Sequence, residues 1–336
     1  MKQSFVGLIS IILILLTGCK QTSDFQPFVN NLDINTVSSY QKKQKSDWFE
    51  NLKPELQTYY AEAQGKTGAE LFDSLHTIIS RNYKIQSYNA AKSIMYSDID
   101  NTALDTTPGI IDVYSQYFVP GEISDGYKEP GDGNKDGYPA DYVNCEHSWP
   151  QSYYGKSLPM VSDLHHLQPT LSIPNTFRST FPFGEASKNI VYTNSGGSKL
   201  SIFVRNGNLF SIKALKEKVL AARKLDELDL SKDYIGVFEP AEQQKGNTAR
   251  AMLYFYLRYY NMNIRQGWYE KDFFWTSRVK TFIKWSEQTD PINDKDIRRN
   301  NLIFQVQNNR NPFIDIPNLA SLIGEDVFKS KKINRK

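Results

Sequence analysis

Three of the four histidines in this chain, His147, His165 and His166, fall within twenty residues, and Glu146, Asp163, Asn175 and Arg178 stand close by. These residue types are the material of metal-assisted hydrolysis. Glu146 is a hard oxygen donor, and Asn175 offers a neutral carbonyl oxygen. One carboxylate with one amide suits Mg2+, which keeps several waters and takes few protein ligands; Mn2+ and Ca2+ are the alternatives. The set suits zinc poorly, and no His-Glu-x-x-His is present. His147 sits beside the carboxylate and is of the one type that titrates near neutrality, so it can take a proton from water. Unperturbed, it would make activity rise around pH 6 to 7. Arg178 follows Asn175 by three positions. On a helix the two share a face, so that a metal and a guanidinium can meet one phosphate.

The elements that carry these residues must satisfy a constraint. On a regular strand, Glu146 and His147 point to opposite sides. Both reach one site only if the strand ends or bulges there, and Trp149-Pro150 supports an ending, because Pro cannot continue a ladder. Upstream, Leu56, Tyr59 and Tyr60, then Leu71, Leu75, Ile78 and Ile79, recur at helical steps, with Gly65 to Gly68 between them and Thr67 as an N-cap. Ile110 to Val119 reads as a strand rich in β-branched and aromatic residues, and 120–140 as a loop. Residues 190–211 alternate around Gly196-Gly197 and predict a hairpin. Helices are expected over Thr248 to Tyr260, with Arg250 and Arg258 on the polar side, over Thr276 to Glu287, and from Asp294 to about Val306. No repeat is visible, and nothing between residues 46 and 326 reads as a flexible linker. The pattern predicts one α+β domain with helices at both ends.

The chain has 336 residues, 40% of them hydrophobic and 23% charged, which excludes a disordered or collagen-like protein. Its net charge of +3 is carried by the ends: without Lys2 and the five basic residues of the last eight, 34 basic residues face 37 acidic ones. Bulk charge therefore does not point to nucleic acid; only a local basic patch can. Residues 1–18 read as a signal peptide: Lys2, an apolar run from Phe5 to Leu16, then Leu16-Thr17-Gly18-Cys19. That ending resembles a bacterial lipobox, so Cys19 is the expected lipidation site and 19–45 a tether. This predicts a membrane-attached, monomeric protein of the bacterial envelope, on the outer membrane since Lys20 rather than Asp follows the cysteine, or a secreted one. Cys145 is then the one remaining thiol, which excludes a disulfide scaffold. Asp132, Asn134 and Asp136 resemble the start of a structural Ca2+ loop, but Val143 stands where its bidentate Glu belongs, so a solvated turn is the expectation. The basic tail 327–336 reads as a solvated end.

Glu146-His147-Ser-Trp149-Pro150, Asp163-Leu-His165-His166-Leu-Gln-Pro169, Asn175-Thr-Phe-Arg178-Ser179 and Pro182-Phe-Gly-Glu185 resemble, in this order, the endonuclease I family of bacterial periplasmic and extracellular sugar-nonspecific nucleases. Phe238-Glu239-Pro240, Lys245-Gly246, Ala249-Arg250-Ala251, Arg299-Asn300 and Asn309 to Asp315 extend the resemblance over residues 46–326. It implies a ββα-metal (His-Me finger) core, His147 as general base, and Glu146 and Asn175 as ligands of a catalytic metal. It also implies in-line attack of water on a phosphodiester of DNA or RNA, leaving 5′ phosphates. Such a site reads the backbone rather than bases. There is one departure. Some members carry a phosphate-contacting arginine in a longer insertion after Glu-His, whereas here 150–163 is short and Lys156 is its only cation. Arg178, ahead of Lys156, is the candidate for that catalytic contact. Asp163, His165 and His166 are expected to support the site or touch substrate.

Two other classes share these residues. One is a catalytically silent nucleic-acid-binding or surface lipoprotein on the same fold, against which the presence of Glu146, His147 and Asn175 argues. The other is a phosphodiesterase of small molecules, which a closed pocket rather than an open basic groove would favour.

Overall fold

The computed structural model describes residues 48–104, 106–121, 143–203, 211–222, 225–265 and 271–331. Cys19 with its leader and tether, the Asp132, Asn134 and Asp136 loop, and the last five residues lie outside the described residues. Residues 43–336 gather into one compact unit. No helix among the described residues is long and apolar enough to cross a membrane.

Two helices open the described chain, α1 (Pro54–Tyr60) and α2 (Gly68–Ser80). Leu71, Leu75, Ile78 and Ile79 are buried along α2, as their spacing requires. Thr67 occupies the N-cap position, yet its side chain makes no capping bond. A third helix, α3 (Tyr88–Ile94), was not legible as an apolar stripe; the Ser87 hydroxyl caps it by accepting from the Ala90 amide. The strand expected over 110–119 is broken in two. It contributes to an antiparallel sheet of β1 (Asn101–Leu104), β2 (Thr107–Ile111) and β3 (Phe118–Pro120). The break is chemical: the buried Asp112 carboxylate accepts from the Tyr114 and Ser115 amides, turning the chain, and from Thr170 Oγ1 and the Leu171 amide beyond it.

The central unit is β4 (Val143–His147) paired antiparallel with β5 (Leu167–Leu171), followed directly by α4 (Ser172–Arg178). In their register His147 lies opposite Leu167 and Glu146 opposite Gln168. The next elements are β6 (Ile190–Thr193), β7 (Lys199–Phe203), α5 (Ile212–Ala221) and β8 (Ile235–Glu239), the three strands forming a third antiparallel sheet. The expected Gly196-Gly197 turn links β6 and β7, with Gly197 at φ 92°.

Helix α6 (Lys245–Tyr259) runs through the core, buried at every position but Asn247. Tyr254, Phe255 and Tyr256 are core residues. Arg250 and Arg258 do not face solvent as expected. Arg250 is 1% exposed, paired with Asp296 at 3.0 Å and donating to the Ser286 and Asp290 carbonyls. Arg258 lies against the rings of Tyr83 and Tyr259. The remaining helices are α7 (Lys271–Phe274), α8 (Val279–Lys284), α9 (Asp294–Gln307), α10 (Pro312–Asp315), α11 (Leu319–Ile323) and α12 (Glu325–Ser330). A boxed cap on Asn293 and Asp296 opens α9.

The 148–166 loop between β4 and β5 is fastened to α6. Trp149 stacks on Phe255 and donates to the Ile264 carbonyl. Asp163 accepts from the hydroxyls of Tyr254 and Tyr259, at 2.8 and 2.7 Å, and from Gln307 Nε2. His165 Nε2 faces the Asn309 carbonyl, and His166 Nε2 the Met160 carbonyl. Burial pushes both imidazoles down to about 4, although Asp163 pulls them up. Their folded values lie below the unfolded one, so the unfolded chain binds the extra protons. The stabilisation is complete above pH 6.5 and is lost as pH falls through about 4. These two imidazoles together should lower the unfolding free energy by about 3 to 4 kcal/mol between pH 7 and pH 5, read by urea unfolding as the difference between wild type and a His165→Gln, His166→Gln double variant. An identical pH dependence in the two proteins would contradict the buried, neutral assignment.

Candidate active site

Among the described residues β4 pairs with β5 alone, in a sheet of two strands. A cavity of about 660 Å3 lies beside β4 and is lined by Asn144, Cys145, Glu146 and His147 together. The alternation of side chains therefore does not separate Glu146 from His147 at this cavity, and the strand ends at His147, as expected. From the other side α4 contributes Asn175, Thr176 and Arg178, with Asn175 and Arg178 at the spacing that places them on one helix face. Lys156 also lines the cavity, whereas Asp163, His165 and His166 do not and belong to the loop scaffold described above.

Glu146 is 3% exposed and Arg178 1%. Arg178 Nε stands 2.9 Å from Glu146 Oε1. The contact is off the hydrogen-bonding direction, so both atoms are buried with no hydrogen-bond partner among the described residues. Burial pushes the Glu146 carboxyl up to about 7, while the Arg178 charge and a hydrogen bond with Tyr114 pull it down. The rest of the Arg178 guanidinium is committed: Nη1 donates to the Ser179 carbonyl, Nη2 to the Ser148 carbonyl, and its plane lies 4.4 Å from the Phe183 ring. The side-chain amide of Asn175 is half-buried and makes no hydrogen bond among the described residues.

His147 Nε2 lies 3.2 Å from the Val161 carbonyl. Its ring is flanked by His166 and Tyr88, each at 5.5 Å between centroids. Burial first, then the His166 imidazole, pushes His147 down to about 3, against the Val161 carbonyl. The ring is neutral throughout the ordinary range, so the activity limb expected around pH 6 to 7 for an unperturbed imidazole is not expected from His147.

Sequence reasoning missed several lining groups. Tyr88 and Lys92 come from α3, and Glu227, Asp229 and Lys232 from the segment after α5. The Ser87 cap signals α3, but nothing local signals that α3 abuts His147. Asp229 closes the end of α4. Its Oδ1 accepts from Ser179 Oγ at 2.5 Å and from the Ser231 amide, and Ser179 sits at φ 48°, ψ −132°, a strained conformation for a residue with a Cβ.

A family model described as Endonuclease I matches residues 67–216 and 220–318. An extracellular ribonuclease of Bacillus amyloliquefaciens is 26% identical over 280 residues, which cover 80% of this chain and 78% of the relative. An extracellular ribonuclease of Bacillus subtilis (strain 168) is 26% identical over 283 residues, covering 79% and 78%. The matched stretches run from the N-cap of α2 to the start of α11 and include every residue lining the cavity beside β4, and on that ground the chain belongs to the endonuclease I family.

Proposed function

We propose that this protein is a metal-dependent, sequence-nonspecific endonuclease of RNA, DNA or both, with the β4–loop–β5–α4 unit acting as a ββα-metal finger. That it is a nuclease follows from its family and relatives. The observation that carries the finer reading is that Glu146, His147 and Asn175 line one cavity beside β4. A catalytically silent lipoprotein would have no reason to retain all three around one space.

The donor set fits a hard divalent cation. Glu146 Oε1 is buried without a hydrogen-bond partner, and the Asn175 amide has none either among the described residues. One carboxylate and one amide are enough for Mg2+ or Mn2+, which retain water. Bound by Glu146 and Asn175, such an ion would act as a Lewis acid toward the phosphate and the departing 3′ oxygen. The protein's own residues handle the proton. The Val161 and Cys145 carbonyls both face the His147 ring and can only accept, and the neutral ring, with a single N–H, keeps one nitrogen lone pair to take a proton. As a water oxygen bonds to phosphorus and the bond to the 3′ oxygen breaks, His147 takes a proton of that water and the departing 3′ oxygen takes one from a second water, giving a 5′ phosphate and a 3′ hydroxyl. His166, Tyr88 and the Val161 carbonyl hold the ring in place.

Incubating the purified chain with RNA and with plasmid, with and without EDTA, tests the reading: cleavage that EDTA abolishes is expected, and none on either polymer would refute it. His147→Ala should lower cleavage at least ~100-fold while leaving the melting temperature and metal binding close to wild type. Retained activity would exclude His147 as the base. Glu146→Ala and Asn175→Ala should each raise the Mg2+ concentration needed for half-maximal rate, and an unchanged titration would count against them as ligands.

The two relatives are named extracellular, and we propose that this chain is exported and held at the bacterial envelope by lipid on Cys19. Cys19→Ser should release the enzyme from the membrane fraction of expressing cells, while membrane retention of that variant would refute the anchor.

A further inference from the structure

Resting on the nuclease reading, the turn that ends α4 bears on the metal site. The Phe181 amide donates to the Arg178 carbonyl at 3.2 Å, and between them Ser179 takes the leading central position at φ 48°, ψ −132°. Those angles belong to a type II′ turn, which favours Gly at that position. Asn308 and Asn318 also have positive φ, but at ψ 23° and 27°, in the left-handed helical region that Asn tolerates. Ser179 lies outside that region, where a Cβ is unfavourable, and such a conformation persists only when its surroundings impose it.

Asp229 is the group that imposes it. Its Oδ1 accepts from Ser179 Oγ at 2.5 Å and from the amide and hydroxyl of Ser231 at 3.0 and 2.7 Å, and the Ser231 amide also donates to Ser179 Oγ at 3.2 Å. Held in this way, the Ser179 carbonyl accepts from Arg178 Nη1, while the Ser179 amide closes α4 on the Asn175 carbonyl at 2.8 Å. Arg178 in turn donates to the Ser148 carbonyl through Nη2 and stands 2.9 Å from Glu146 through Nε. A run of contacts thus leads from Asp229 through Ser179 and Arg178 to Glu146, and Asn175 belongs to the helical turn that Ser179 closes. Asp229 and Ser179 border the same cavity as Glu146 and Asn175.

We propose that Asp229 and Ser179 are positioning residues of the metal site: Asp229 pins the Ser179 hydroxyl, the pinned turn orients the Arg178 guanidinium, and the guanidinium sets the Glu146 carboxylate at the cavity it shares with Asn175. Neither residue touches the ion or the scissile phosphate. The hydroxyl is needed because residue 179 carries a Cβ. A Gly backbone takes these angles freely, so a Gly there would need neither the hydroxyl nor Asp229 to hold the turn.

The test is cleavage of RNA and of plasmid with Mg2+ by the full chain, together with Mn2+ binding by calorimetry and a melting temperature for each variant. Asp229→Ala and Ser179→Ala should each lower kcat about 10- to 100-fold and weaken Mn2+ binding at least about fivefold, with KM for the polymer within about threefold of wild type. Asp229→Asn, which keeps an accepting oxygen, should recover to within about fivefold of wild type. Ser179→Gly removes more of the side chain than Ser179→Ala, yet it should restore kcat and Mn2+ affinity to within about threefold of wild type. Adding Asp229→Ala to Ser179→Gly should then change kcat by no more than about threefold. A role confined to stability would lower the melting temperature alone. If Asp229→Ala does not fold, the contrast between Ser179→Ala and Ser179→Gly decides. Equal impairment of Ser179→Ala and Ser179→Gly overturns the assignment, as does a loss on Asp229→Ala that is the same with Ser179 and with Ser179→Gly. A wild type that cleaves neither polymer with Mg2+ or Mn2+ sinks the nuclease reading and this assignment with it, whereas an active wild type with unimpaired Asp229→Ala and Ser179→Ala sinks only the assignment.

Discussion

The contact between Glu146 and Arg178 joins the end of β4 to the end of α4 across the floor of the cavity. The Arg178 charge offsets part of the burial that pushes the Glu146 carboxyl up, and removing one partner of such a buried pair costs about 3 to 5 kcal/mol. The pair has a second consequence. Arg178 also grips the carbonyls at two ends of the β4–β5–α4 unit, Ser148 after the strand and Ser179 after the helix. Strand, loop and helix are therefore tied together at the end where Glu146 and Asn175 line one cavity. An arginine placed in this way is a structural counter-ion first.

The outer motifs of the sequence serve the scaffold. Lys245 pairs with Glu239 at 2.8 Å and with Glu242 at 2.7 Å, and Trp285 donates to Glu185. Arg310 pairs with Asp315, which also accepts from Tyr60 and Asn300. Gly246 is fixed by close approach, because a Cβ there would lie 1.9 Å from the Asp290 carbonyl oxygen. The loop behind His147 is tied to α6 and α9 by the Asp163 carboxylate, through Tyr254, Tyr259 and Gln307, and burial there makes protonation of His165 and His166 costly.

The helices with strong apolar spacing, α2, α6 and α9, were legible in the sequence, and so was the β6–β7 turn at Gly196-Gly197. Glu146, His147 and Asn175 were legible as a chemical set, because their types narrow the chemistry sharply. The break at Asp112 was not, since a polar residue within a β-rich run reads as an outward-facing position until its partners at Thr170 and Leu171 are known. Arg250 and Arg258 misled for the same reason: helical periodicity reports where a charge sits but not whether a distant Asp296 or Tyr83 awaits it. Tyr88, Lys92 and Asp229 come to the cavity through tertiary packing from segments with no motif of their own.

The central claim is that Glu146, Asn175 and His147 surround one divalent ion and one phosphate. Crystals soaked with Mn2+ and a short non-cleavable oligonucleotide, measured at the manganese absorption edge, test it directly. The account predicts an anomalous peak at roughly 2.0 to 2.3 Å from a Glu146 carboxylate oxygen and the Asn175 side-chain oxygen, with a phosphate bound to the ion and His147 facing it. Manganese bound elsewhere, with Glu146 still turned to Arg178 and no phosphate beside His147, would contradict it.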